Sequence, residues 1–184
     1  MYQGHNPSAL RSMEWLDQAL LTLLQEEKYS KITVRQICQQ ADLSRQTFYQ
    51  MFDSKEEVIE YHFSILFQEF ALKCDSFQNV SLSEIVRYFF SFFYDQRDFI
   101  QILISNNLVF FLERQFEVYL RKIELFCQIN DQEQFGDYTT AYVAGALTQI
   151  LIHWFDRSFD LRIEDLSILT ESIIRGETLA KILS

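Results

Sequence analysis

The chain has 184 residues but only one proline and four glycines. That is too little turn chemistry for an all-β fold, and it suits long helices. The net charge is −10. No apolar run is long enough to span a bilayer and no secretory leader opens the chain, so it is read as cytoplasmic. Cys38, Cys74 and Cys127 stand far apart with no CxxC, which argues against a disulfide framework or a zinc site.

In chain order, residues 1–7 are polar, and Pro7 stands just before a helix start with Ser8 as its cap. A helix is expected from about Ala9 to Glu27, with Leu10, Met13, Leu16, Leu20, Leu23 and Leu24 on one stripe. Lys28 to Lys31 form a connection. Two short helices follow, Val34–Gln40 and Arg45–Met51, joined by the turn Ala41-Asp42-Leu43. Thr33 and Ser44 are N-caps, because their hydroxyls can accept an unpaired amide of the first turn. Asp42 fills the turn position that needs the left-handed backbone, which Asp tolerates better than branched residues do. Ile37, Ala41, Leu43, Phe48 and Phe52 wedge the pair together. The outward residues are Arg35, Gln36, Gln39, Arg45, Gln46, Thr47, Tyr49 and Gln50. Side chains of these types hold phosphates and read base edges. This is the pattern of a helix-turn-helix, whose second helix enters the major groove.

Asp53 and Ser54 cap a longer helix, Lys55 to Cys74, with Glu56 and Glu57 favourably placed in its first turn. Ser81 to Glu84 is a capping box opening a helix to about Tyr94, and a short helix covers Phe99–Ile104. Asn106-Asn107 is a turn signal. A helix from Leu108 to Gln128, a loop over Asn130 to Gln134, a helix from Gly136 to Arg157 and a last helix from Glu164 to Leu183 complete an all-α chain. The helix from Gly136 carries small residues at Ala141, Ala144, Gly145 and Ala146, which admit a close helix neighbour.

Charge is unevenly divided. Residues 28–55 hold five basic and two acidic groups, whereas residues 56–184 hold ten basic and twenty acidic. The cationic segment coincides with the helix-turn-helix, and an acidic remainder repels DNA and keeps docking one-sided. His62 and His153 stand alone, and no further ligand is spaced for a metal site. No phosphate loop or nucleophile motif is present. Neither an enzyme nor a cofactor is therefore expected.

The string Ile32 to Cys38, Ala41-Asp42-Leu43-Ser44, Thr47 to Phe52 and Ser54-Lys55-Glu56-Glu57 resembles the DNA-binding domain of the TetR family of transcriptional regulators. It covers about the first third of the chain. The departure is Asp42, where the family most often has Gly. The resemblance implies a TetR-like fold: a helix-turn-helix domain over residues 1–54 and a helical regulatory and dimerisation domain over 55–184. It implies a regulator, expected to be a repressor, that binds a palindromic operator as a homodimer paired through the last two helices. The DNA-contacting set is then Thr33, Arg35, Ser44, Arg45, Gln46, Thr47, Tyr49, Gln50 and Lys55. Arg35 reaches a guanine edge or clamps a phosphate. Arg45, Gln46 and Gln50 are the candidates for base readout. Thr47, Tyr49 and Lys55 match backbone-contacting positions.

The aromatic run from Tyr88 to Tyr94, with Phe110, Phe111 and Phe116, is either plain core or the lining of a pocket for a small apolar effector. The candidate lining is Phe89, Phe93, Phe110, Phe111, Tyr142 and Trp154. The segments Tyr88–Ile104 and Ala141–Trp154 are also similar to the C-terminal domain of TetR-like regulators of dihydroxyacetone kinase operons. Some of those answer to a protein partner, so an activator or interaction protein under a protein co-regulator is the alternative.

Overall fold

The computed structural model describes residues 1–2, 4–75, 81–121 and 133–176, and all regular elements among them are helical. Helix α1 spans Pro7–Glu26 and begins earlier than the expected Ala9. Asn6, not Ser8, is its cap: the Asn6 side chain accepts the Ser8 N–H at 3.0 Å. Pro7 then fills the first helical position, where a missing N–H costs nothing. The stripe Met13, Leu16, Leu20 and Leu24 is buried.

A single 3-10 turn, Tyr29–Lys31, leads into α2 (Val34–Gln40) and α3 (Arg45–Met51). Both helices have the expected bounds, because both ends are written locally. Thr33 and Gln36 form a capping box, and Ser44 accepts the Thr47 N–H at 3.0 Å. Asp42 between them has φ 53. Phe48 and Phe52 are fully buried with ring centroids 5.9 Å apart.

Helix α4 (Lys55–Asp75) runs through both halves of the molecule. Near its start, Tyr61 packs edge-on to Phe52 at 5.6 Å. Further along, Phe67 meets Phe93 at 5.9 Å and Phe116 at 5.4 Å, and stacks on Tyr119 at 4.4 Å. Around it lie α5 (Leu82–Asp95), α6 (Arg97–Ser105), α7 (Val109–Leu120), α8 (Glu133–Asp156) and α9 (Ile163–Ile174). The expected continuations to Gln128 and Leu183, and the loop at Asn130, fall largely outside the described residues. Helix α5 packs on α9, and α7 on both α8 and α4. Offset and edge-to-face ring pairs of this kind add to the area they bury.

A second aromatic cluster closes the turn between α8 and α9. Ser158 and Phe159 both have positive φ, an uncommon conformation for residues with a side chain. The Phe159 ring is held by Trp154 at 5.0 Å, Phe155 at 4.9 Å and Tyr94 at 4.9 Å. The Trp154 Nε1–H donates to the Leu161 carbonyl at 2.9 Å.

One polar contact ties α1 to α4. Asp17 is buried, and its carboxylate lies 2.9 Å from Nδ1 of His62. His62, read as an isolated residue from sequence, is thus a satisfied core residue. Its ring also lies against Phe99 of α6 at 4.3 Å. Removing one member of a buried pair strands the other. The His62→Leu variant is expected to lose about 3 kcal/mol of stability in urea denaturation. Pairing it with Asp17→Leu is expected to recover more than half of that loss, since no unpartnered polar group is then left buried.

Candidate nucleic-acid interface

Helix α3 is seven residues long and divides cleanly. Phe48 and Met51 face the core. Arg45, Gln46, Tyr49 and Gln50 are exposed, at the i, i+1, i+4, i+5 spacing that shares one helix face. Tyr49 is 51% exposed although its ring edge meets Phe48 at 5.4 Å. The Arg45 guanidinium lies 5.9 Å from the centre of the Tyr49 ring. A planar donor, two amides and a phenol therefore stand together on a rigid surface. Arg pairs bidentately with guanine, and Gln with adenine.

Arg35 is exposed in the first turn of α2. The hydroxyls of Thr33, Ser44 and Thr47 are engaged in caps: Thr33 donates to Gln36 Oε1 at 2.8 Å, and the Ser44 and Thr47 hydroxyls lie 2.9 Å apart. Gln36 is engaged as well, because its amide reaches Glu27 at 3.4 Å. These groups fix the two helix starts that carry Arg35 and Arg45.

Lys55 is placed differently from the other cations. Its ammonium donates to the carbonyls of Tyr29 at 2.7 Å and Ile32 at 2.8 Å, and sits 4.0 Å above the Tyr29 ring. Burial lowers its pKa. Two of its three N–H groups are thus used inside the protein, clasping the turn before α2. The Tyr29 hydroxyl donates to Glu56 at 2.7 Å, and burial, reinforced by that bond, raises the phenol's pKa. Sequence reasoning missed Tyr29, because nothing local marks a connector residue as the point where α4 grips the helix-turn-helix.

This fold matches known proteins. The profile described as "Bacterial regulatory proteins, tetR family" matches residues 18–61, which span from α1 through the helix-turn-helix into α4. The chain is 33% identical over 176 residues to the HTH-type dhaKLM operon transcriptional activator DhaS of Lactococcus lactis subsp. lactis (strain IL1403), covering 90% of this chain and 81% of that protein. The chain belongs to the TetR family of bacterial transcriptional regulators. TetR regulators bind DNA and act as dimers, and they are transcription factors, not enzymes. Solved structures share the fold. A TetR transcriptional regulator from Streptococcus agalactiae 2603V has a TM-score of 0.63 at 21% identity, covering 91% of this chain and 95% of its own. The dihydroxyacetone kinase operon activator DhaS has a TM-score of 0.56 at 22% identity, covering 90% and 95%.

The six aromatic residues expected around an effector are not brought together. Phe89 lines an apolar cavity of about 40 Å³ with Phe67, Phe70, Val86, Phe116 and Leu147. Phe93 is fully buried beside it, packed on Phe89 at 4.8 Å. Phe111 is buried while its neighbour Phe110 is 56% exposed. Tyr142 is exposed on α8, and Trp154 belongs to the cluster around Phe159. Helical spacing placed Phe89 and Phe93 on one face correctly, but it carries no information on which faces of separate helices meet. Among the described residues, no helix is long and apolar enough to cross a membrane.

For the TetR-type recognition helix, Arg45→Ala is expected to weaken specific DNA binding by about 1–3 kcal/mol, and Tyr49→Phe by about 1 kcal/mol. Both side chains are exposed, so circular dichroism should show native helicity. Fluorescence anisotropy against a duplex selected from a random library measures the change. Wild-type affinity in both variants would rule out α3 as the reading element.

Proposed function

We propose that two copies of this chain bind a palindromic operator in the cytoplasm. Residues 1–54 contact DNA, and residues 55–184 dimerise and receive a signal. The observation that carries the reading is the exposed face of α3, with Arg45, Gln46, Tyr49 and Gln50 on one surface of a capped, rigid helix. In this reading Arg35 and Arg45 meet guanine edges or phosphates, Gln46 and Gln50 read bases, and Thr33, Ser44, Thr47 and Tyr49 line the sugar-phosphate path, while Lys55, expected there from sequence, instead clasps the turn before α2. Two-fold symmetry of the protein then asks for inverted half-sites.

The pairing surface is the outer side of α8 and α9. Tyr138, Tyr142, Leu161, Ile168 and Leu169 are all exposed there, Tyr138 at 79% and Ile168 at 64%. Between the helices runs an open groove of about 370 Å³, lined by Gln149, Ile150, His153, Leu161, Leu166 and Leu169. Exposed apolar side chains gathered on one side of a molecule favour a protein interaction surface. A second copy covers it, with Ile168 entering the partner's groove.

For the sign of regulation, the similarity to an operon activator supports activation, in place of the repression expected from the family resemblance alone. For the signal, the cavity at Phe89 is small. Sites for drug-sized ligands run to roughly 300 Å³ or more, whereas this one holds about 40 Å³. That supports a protein co-regulator over a small apolar effector. Control then acts by differential affinity of the co-regulator for two positions of the helix-turn-helix.

Selection of duplexes from a random library by the full chain is expected to return two inverted half-sites. Ile168→Asp is expected to convert the dimer to monomer in sedimentation velocity. The same change should reduce affinity for the paired site by about 100-fold or more, because the second half-site no longer binds intramolecularly. A single asymmetric motif, or an unchanged dimer, would contradict the proposal. Deleting the gene should lower expression from the cognate promoter; a rise would make the protein a repressor.

A further inference from the structure

The 3-10 turn Tyr29–Lys31 is short, but three elements meet on it. It joins α1 to α2 and ends two residues before the Thr33 cap. From α4, Lys55 holds its carbonyls and Glu56 accepts its phenol. From the opposite side comes a residue 77 positions away: the Tyr29 N–H donates to Oδ1 of Asn106 at 2.7 Å, in a half-buried setting. This N–H opens a helical turn, where no carbonyl of the turn itself can receive it.

Asn106 is held from behind as firmly. It follows α6, and its Nδ2 donates to the Ile102 carbonyl at 2.9 Å while its own N–H donates to the same oxygen at 3.1 Å. The two ends of the side-chain amide are therefore distinguished by chemistry: only the oxygen can accept from Tyr29, and only the nitrogen can donate to Ile102. Asn107 then turns with φ 57, and the buried Leu108 anchors the exit. At the other end of α6, Phe99 packs on His62, the partner of Asp17 in α1. Helix α6 thus bonds the α1–α2 connection at one end, and at the other packs on α4 at the residue that pairs with α1.

We propose that Asn106 is a positioning residue for DNA binding. It fixes the connection between α1 and α2, and with it the two helices that carry Arg35 and Arg45, relative to the C-terminal helices that pair the two copies. The proposal rests on the DNA-binding reading above. Its consequence is geometric. In a dimer, the distance and angle between two recognition helices decide which half-site spacing is bound, so loosening Asn106 should blur spacing selectivity before it affects a single half-site.

The test uses full-length wild type, Asn106→Ala and Asn106→Asp. Each is measured against the duplex selected from a random library and against the same duplex with one base pair added or removed between half-sites. The Asp variant keeps the acceptor for the Tyr29 N–H. Asn106→Ala is expected to bind the selected duplex about tenfold more weakly and to discriminate less between spacings. Asn106→Asp should recover part of both, because it keeps the acceptor for Tyr29 and loses the donor to Ile102. A merely structural role would lower the melting temperature while leaving spacing preference as in wild type, and that result would overturn the proposal. So would equal loss in both variants, or no loss in either. Hydrogen exchange on the wild type gives an independent reading: the Tyr29 amide should be protected, and exchange at the rate of an open loop would also overturn it. Absence of saturable binding by the wild type would remove the DNA-binding reading itself, and the role of Asn106 with it. Wild-type binding with an unaltered Asn106→Ala variant would remove only the latter.

Discussion

The constraint on which the molecule depends is that α4 runs through both ends of one continuous hydrophobic core. Its early residues close the core beneath the helix-turn-helix, through Val58, Ile59 and the contact of Tyr61 with Phe52. Its later residues enter the phenylalanine core, through Phe67 and Phe70. A helix is stiff along its axis, and close-packed cores transmit displacement instead of absorbing it. Phe67, packed on α5 and α7, and Lys55, at the turn before α2, therefore stand on one helix. That helix joins the C-terminal helices to the helix-turn-helix through packed side chains.

The same architecture separates charge by function. The cationic groups Arg35 and Arg45 are exposed on the short helices, whereas the ion pairs of the C-terminal part are internal to it. Arg114 reaches Glu60 at 3.2 Å, and Arg121 is shared between Glu117 and Asp137. Exposed pairs of this kind contribute little to stability. They do tie up several cations of an acidic region, whereas Arg35 and Arg45 stand exposed on the short helices.

The helix-turn-helix was legible in the sequence because its determinants are local. Thr33, Ser44 and Asp42 act within three residues of themselves, so α2 and α3 begin and end where their caps say. The start of α1 was misplaced by two residues because Ser8 and Asn6 are both good caps, and only the position of Pro7 decides between them. The clasp of Lys55, and the bond from Asn106 to Tyr29, were not legible. Lys55 looks like any exposed cation until the carbonyls of Tyr29 and Ile32 are seen within reach. Asn106 looks like a turn residue, which it also is. The aromatic lining failed for a related reason: periodicity assigns a residue to a face of its own helix, but Phe110, Tyr142 and Trp154 are placed by how separate helices pack. His62 and Asp17 are 45 positions apart, and neither carries a local sign of its partner.

The most direct measurement is the salt dependence of DNA binding by the full-length protein, followed by fluorescence anisotropy with unrelated duplex as competitor. Two copies whose Arg35 and Arg45 all meet phosphates neutralise about four charges. The logarithm of the affinity should then fall with the logarithm of salt with a slope of about −4 or steeper, and binding should survive the competitor. A slope near zero, or binding abolished by an equal mass of unrelated DNA, would contradict a dimeric, sequence-reading helix-turn-helix.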